Sequence, residues 1–125
     1  MVNKVMKLRD IKEKLKLEAV YEKEDILDLE VTTACGADLM SDVLAFSDAK
    51  TMLITGLTNP QVIRTSEMIG IQVIIFVRGK SPVDDTVKLA QENDISLYKT
   101  KKPMFETCGI LYKLGVEPEK MVQIE

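Results

Sequence analysis

At 125 residues, with 46% hydrophobic and 30% charged residues and a net charge of −3, the chain has the length of one ordinary domain and enough apolar material for a single core. The acidic balance argues against a dedicated nucleic-acid binder, whose surface needs a basic excess to neutralise phosphates. The absence of histidine removes Ser-His and Cys-His nucleophile pairs, imidazole metal ligands and the commonest general base.

The first residues, 1–7, lack the continuous apolar region of a secretory signal, and no later apolar run approaches the roughly 18 residues that span a bilayer. A cytoplasmic protein without membrane contact is therefore expected. Cys35 and Cys108 are neither a CxxC pair nor a disulfide framework, so free thiols are expected. In chain order, Leu8, Ile11 and Leu15 recur at helical spacing and lead into a strand over residues 17–21, with Leu17, Ala19 and Tyr21 on one face. Residues 26–31 alternate partly and predict a strand that runs into a turn over residues 32–36. Leu39, Met40, Val43 and Leu44 then give a helical stripe. Residues 51–55 form an apolar strand ending at Gly56. Asn59-Pro60 supplies an N-cap and a first-turn proline for a helix with the stripe Val62, Ile63, Ser66 and Ile69, closed by Gly70.

The densest apolar run, residues 71–77, predicts the central strand of a parallel sheet, covered on both faces. Ser81-Pro82 predicts the cap and first position of a helix whose buried face is Val83, Val87 and Ala90. Residues 95–98 form the next strand. Pro103 opens a last helix through Leu114, ended by Gly115, and residues 116–125 form a tail whose apolar residues 121–124 are suited to an added strand or to docking on a partner. Strands alternating with helices require right-handed crossovers, hence an α/β fold with a mainly parallel sheet and helices on both faces, in a single domain over residues 1–125 with its core at about 7–114.

In such a sheet, ligands bind outside the carboxyl ends of the strands. The loops expected there contain Thr55, Gly56, Thr58 and Asn59, then Arg78, Gly79, Lys80 and Ser81, then Lys101 and Lys102. Cations, hydroxyls and glycines at one edge of an acidic protein point to an anion site; solvated polar loops are the plainer reading. Asp84 and Asp85 already neutralise the helix after Ser81-Pro82. The helix after Asn59-Pro60 has no acid in its first turn, so residues 55–59 make the better anion seat, with Arg78 and Lys80 reaching across. The chain contains neither a phosphate-loop lysine pattern nor GxGxxG, and no cofactor is expected. Cys35, at a strand-to-helix junction, offers a thiol or redox alternative. Cys108 lies on the Phe105, Cys108, Leu111 and Tyr112 face of the last helix, where a small buried hydrophobe is expected. The acid pairs Asp38/Asp42 and Asp84/Asp85 read as first-turn acids that stabilise helix dipoles.

The order of these features resembles the DRTGG domain: residues 38–44 before a strand, the Gly-ended strand Leu53-Ile54-Thr55-Gly56, the run Arg78-Gly79-Lys80-Ser81-Pro82, and Ile95-Ser96-Leu97-Tyr98 leading to Phe105-Glu106. The similarity extends from Lys7 to about Leu114, and is to stand-alone clostridial-type members related to the amino-terminal domain of HPr kinase. Leu57-Thr58 replaces the family's Asp-Arg, Arg78-Gly79-Lys80 replaces Thr-Gly-Gly, and Lys101 and Met104 replace the late Asp and Thr. Gly56, Gly79 and Pro82 match. The resemblance implies a non-catalytic regulatory domain, frequently dimeric, associated with metabolic enzymes such as phosphotransacetylases and CBS-containing pyrophosphatases; the kinase chemistry of HPr kinase is not implied. Together these readings predict a homodimer that binds a nucleotide or phosphorylated metabolite. The alternative is an interaction module without a ligand.

Overall fold

The computed structural model describes residues 6–119. A short strand β1 (Met6–Lys7) enters helix α1 (Leu8–Leu15), whose Leu8, Ile11 and Leu15 are fully buried, as their spacing predicts. The Asp10 carboxylate accepts the Lys7 amide at 3.3 Å and so satisfies a donor at the helix start. Strand β2 (Glu18–Tyr21) follows.

The strand expected over residues 26–31 is a different structure. Asp25 adopts the left-handed conformation, Ile26–Asp28 forms a 3-10 turn, and only Glu30–Val31 is extended, as β3 paired antiparallel with β1. Ile26 and Leu29 turn towards the α1 side of the core, and Leu29 accepts the amide of Leu8 at 2.8 Å. The sheet strand lies further on, β4 (Thr33–Gly36), where a turn was expected.

Helix α2 (Met40–Phe46), strand β5 (Thr51–Thr55), helix α3 (Gln61–Ile69), strand β6 (Val73–Phe76), helix α4 (Asp84–Glu92), strand β7 (Ser96–Lys99) and helix α5 (Met104–Lys113) then alternate. A two-residue strand β8 (Glu117–Pro118) ends the described chain. It pairs with Thr33 and Ala34, so the core continues past Leu114 and includes the buried Val116. Residues 121–124, expected to add a strand or to dock, lie outside the described residues.

The six-stranded sheet has the order β2-β7-β6-β5-β4-β8. All its pairings are parallel except β2 with β7. α1 and α5 cover one face, packing Leu8, Ile11, Leu15 and Leu111 against Met52, Ile54, Val73, Ile75 and Tyr98. α2, α3 and α4 cover the other, where Met40, Val43, Val62, Ile63 and Ala90 meet Leu53, Ile74, Phe76 and Leu97. Successive β6 residues thus alternate between two apolar layers, which is why that strand reads as an unbroken hydrophobic run.

The entry to α4 also departs from expectation. The helix begins at Asp84 with Val83 as its cap residue, and Val83 is 49% exposed. Thr86 takes the buried position instead, because its hydroxyl donates to the Thr58 carbonyl at 2.8 Å. The Ser81 hydroxyl accepts from Lys99 at 2.9 Å rather than capping a helix.

Candidate functional site

The carboxyl ends of β4, β5, β6 and β7 converge on one edge. Beyond the strands the ladder continues through Ala37 to Ile54, Val77 to Thr55 and Thr100 to Phe76, each amide donating to the neighbouring strand's carbonyl at 2.9–3.1 Å. The loops that follow are therefore held in register by the sheet itself.

After β6 the chain reverses in a tight turn closed by Lys80 N–H donating to the Val77 carbonyl at 3.2 Å. Arg78 and Gly79 both have positive φ, 61° and 66°; glycine suits this region and arginine enters it only at a cost. The turn persists because its amides are spent on the next loop: Arg78 donates to Lys102 O at 2.9 Å and Gly79 to Thr100 O at 2.7 Å. This lock sets Arg78, Lys80, Lys101 and Lys102 on adjoining loops, and all but the half-buried Lys102 are exposed. Lys99 is committed elsewhere, to Ser81 and, at 3.7 Å, to Glu18.

The loop after β5 is more occupied than its sequence suggests. The Asp38 carboxylate accepts the Gly56 amide at 2.7 Å and the Thr55 hydroxyl at 3.0 Å through one oxygen. The Leu57 amide donates to Thr55 Oγ1, and Asn59 Oδ1 accepts the Gln61 amide at 3.1 Å, capping α3. Thr58 lends its carbonyl to Thr86 and Val83. The amides of Thr58 and Asn59 find no acceptor among the described residues. Lys80 does cross from the neighbouring loop, its Nζ lying 3.4 Å from the Gly56 carbonyl.

The structure thus brings Thr55, Gly56 and Lys80 together and places Arg78, Gly79 and Lys101 on the adjoining loops, where Arg78 is tied through its backbone amide and only Lys80 reaches across to Gly56; Asn59 and Thr58 serve mainly to join helices to the sheet. The residue that sequence reasoning missed is Asp38. It precedes α2 rather than lying in its first turn, two residues after the end of β4. A strand placed at residues 33–36 would have put it among the loops at this edge.

The thiols have a different character. Cys35 is 3% exposed on the α2/α3 side of β4, and burial, with Glu119 beside it, pushes its thiol up to about 12. Cys108 packs on the opposite face, and burial raises it too. Both are protonated at neutral pH, the unreactive form. Among the described residues no group of three or more Cys, Asp or Glu side chains is placed to hold a metal ion, and no helix is long and apolar enough to cross a membrane.

Clefts open away from this edge. One of about 460 Å³ lies at the amino ends of the strands, lined by Glu30, Thr32, Lys50, Thr51 and Gln72. Another, of about 170 Å³, lies between α5 and the sheet beside Gly36, Cys108 and Tyr112. At the carboxyl edge the side chains of Asp38, Arg78, Lys80 and Lys101 are exposed.

No protein-family model and no curated protein matches the chain. Among solved structures, it is similar to the crystal structure of the CBS and DRTGG domains of the regulatory region of Clostridium perfringens pyrophosphatase complexed with an activator, diadenosine tetraphosphate. The TM-score is 0.70 at 17% identity, over 85% of this chain and 44% of that one. The chain shares its fold with part of a pyrophosphatase regulatory region. The likeness is one of architecture, to a region built of CBS and DRTGG domains, and this chain spans less than half of its length.

Proposed function

We propose that the chain is a non-catalytic regulatory domain of the DRTGG type that senses an anionic metabolite or nucleotide at the carboxyl edge of its sheet, working in the cytoplasm as a homodimer. The observation that carries this reading is the locked turn at Arg78-Gly79, which holds Arg78 and Lys80 against the Lys101-Lys102 loop in a chain of net charge −3. Opposite unit charges about 4 Å apart attract by only about 1 kcal/mol in water, so several cations must act together and binding weakens with salt. The unpartnered amides of Thr58 and Asn59 add neutral donors to the same edge. That a region sharing this fold was crystallised with a diadenosine tetraphosphate activator supports a nucleotide as one candidate.

The test is a thermal-shift screen of nucleotides and phosphorylated metabolites. A ligand at a hundred times its Kd stabilises the folded state by about 2.7 kcal/mol, a readily measured rise in Tm. The double variant Arg78→Ala/Lys80→Ala should fold normally and lose that rise. Unchanged ligand binding in the double variant, or no stabilisation by any anion in the wild type, would overturn the reading.

One observation favours the interaction-module alternative. On α5, Phe105 is 91% and Tyr112 72% exposed; they stand two turns apart, with Gly109 between them open to solvent. An aromatic face of this kind suits a protein contact.

A further inference from the structure

We infer that the corner at Gly56 is a two-signed seat that selects a phosphate bearing neighbouring hydroxyl groups, a sugar phosphate either free or within a nucleotide, rather than a bare anion. The inference rests on the anion-binding reading above and adds to it a specificity residue, Asp38.

The Asp38 carboxylate is fixed through one oxygen, by the Gly56 amide at 2.7 Å and the Thr55 hydroxyl at 3.0 Å. The other oxygen receives no donor among the described residues, and the side chain is exposed. A carboxylate accepts at both oxygens, so half of its capacity remains available and already oriented. A Cβ on Gly56 would lie 3.6 and 3.7 Å from the two Asp38 oxygens and 3.7 Å from Lys80 Nζ. A carboxylate and an ammonium therefore flank the same small space, which glycine keeps open.

Asp38 and Lys80 form no direct ion pair within 4 Å. The ion pairs of the described residues join Arg9 to Asp28, Lys12 to Glu22 and Lys99 to Glu18; Lys80 instead makes a long bond to the Gly56 carbonyl. A bare phosphate drawn to Lys80 meets the Asp38 charge at once and is repelled. A phosphate carrying hydroxyls turns that charge into an attraction: its O–H groups donate to the free Asp38 oxygen while the phosphate faces Lys80. Hydrogen bonds to an ionised acceptor are the stronger kind, and the like-charge clash against bare anions supplies the other half of the discrimination.

The experiment compares matched probes by calorimetric titration at low salt: ribose 5-phosphate against inorganic phosphate, and adenosine triphosphate against its 2′,3′-dideoxy analogue and inorganic triphosphate. In the wild type, at least one hydroxylated probe should bind about tenfold more tightly than its hydroxyl-free counterpart, the low end expected for a charged hydrogen bond at an exposed site. Asp38→Asn retains the acceptor for Gly56 and removes the charge; it should weaken the hydroxylated probe, tighten the bare one, and so erase the difference. Equal affinities in the wild type would overturn the inference without any variant. So would an Asp38→Asn protein that binds both probes more tightly by the same factor, since Asp38 would then merely repel anions; in that case, and whenever the wild type binds phosphates without discrimination, the anion-binding reading stands. Binding of no probe at all would overturn both.

Discussion

Gly36 and Cys108 show how one residue constrains two elements. A Cβ added at Gly36 would sit 2.7 Å from the Cys108 sulfur, closer than real Cβ atoms approach. Gly36→Ala should therefore destabilise the fold by about 1–2 kcal/mol, as overpacking does, and Cys108→Ala in the same chain, which removes the sulfur and keeps a good helix former in α5, should recover most of the loss in urea titrations. The thiols give a second expectation. With burial holding Cys35 up at about 12, the native protein should resist alkylation at neutral pH and react only when unfolded; fast labelling of Cys35 in native protein would contradict its assigned burial.

Glu22 gives the pH expectation. It accepts hydrogen bonds from Lys12 at 2.8 Å and from the buried Tyr98 hydroxyl at 2.7 Å. The Lys12 bond is the main cause that holds its carboxyl below the usual range, aided by Tyr98 and opposed by burial. A carboxyl depressed on folding stabilises the protein above its unfolded value of about 4.3 and loses that contribution as the pH falls through its lower native value. The stability gap between wild type and Glu22→Gln should thus be present at pH 7 and shrink below about pH 4, measured as the difference in urea midpoints. A gap that widened in acid would refute the sign.

At the scale of the element, β6 sets the strictest demand. Val73 and Ile75 face the α1/α5 layer while Ile74 and Phe76 face the α2/α3/α4 layer, all essentially without exposure. Ile75→Asp places an unpaired charge in a doubly covered strand, at a cost of several kcal/mol against a total of about 5–15. It should abolish soluble expression; a soluble variant with a cooperative melt would remove β6 from the sheet centre. This strand was legible because burial on both faces leaves an unbroken apolar run. β4 was not, since a strand that must admit the Cys108 sulfur beside it is built of Thr33, Ala34, Cys35 and Gly36, whose small side chains give no strong period. Residues 26–31 show the converse: Ile26, Leu27 and Leu29 carry the apolar pattern of a strand but serve to cover α1 from a 3-10 turn. The cations of the candidate site were readable because they directly follow β6 and β7, whereas Asp38 depended on the hidden end of β4 and went unseen with it.

At the scale of the whole molecule, the two edge strands among the described residues are poor templates for a further strand: β8 is two residues long, and β2 carries a bulge between Ala19 and Tyr21, both devices that discourage strand-to-strand association. Self-association should therefore proceed through helices, and α5 presents the aromatic face for it. Light scattering after size exclusion at micromolar protein should give about twice the monomer mass, and Phe105→Ser/Tyr112→Ser should reduce it to one. A monomeric wild type would sink the dimer, and a double variant that still dimerises would move the interface elsewhere.

The lock between the Arg78 turn and the Thr100 loop has a further consequence for timing. A turn whose amides already donate to the carbonyls of the next loop has little order left to gain, so capture of a small anion at this edge should proceed in a single kinetic step. Its association rate should fall steeply with ionic strength while its dissociation rate changes little. An anion held there should lower the positive charge of this edge and leave its shape unchanged.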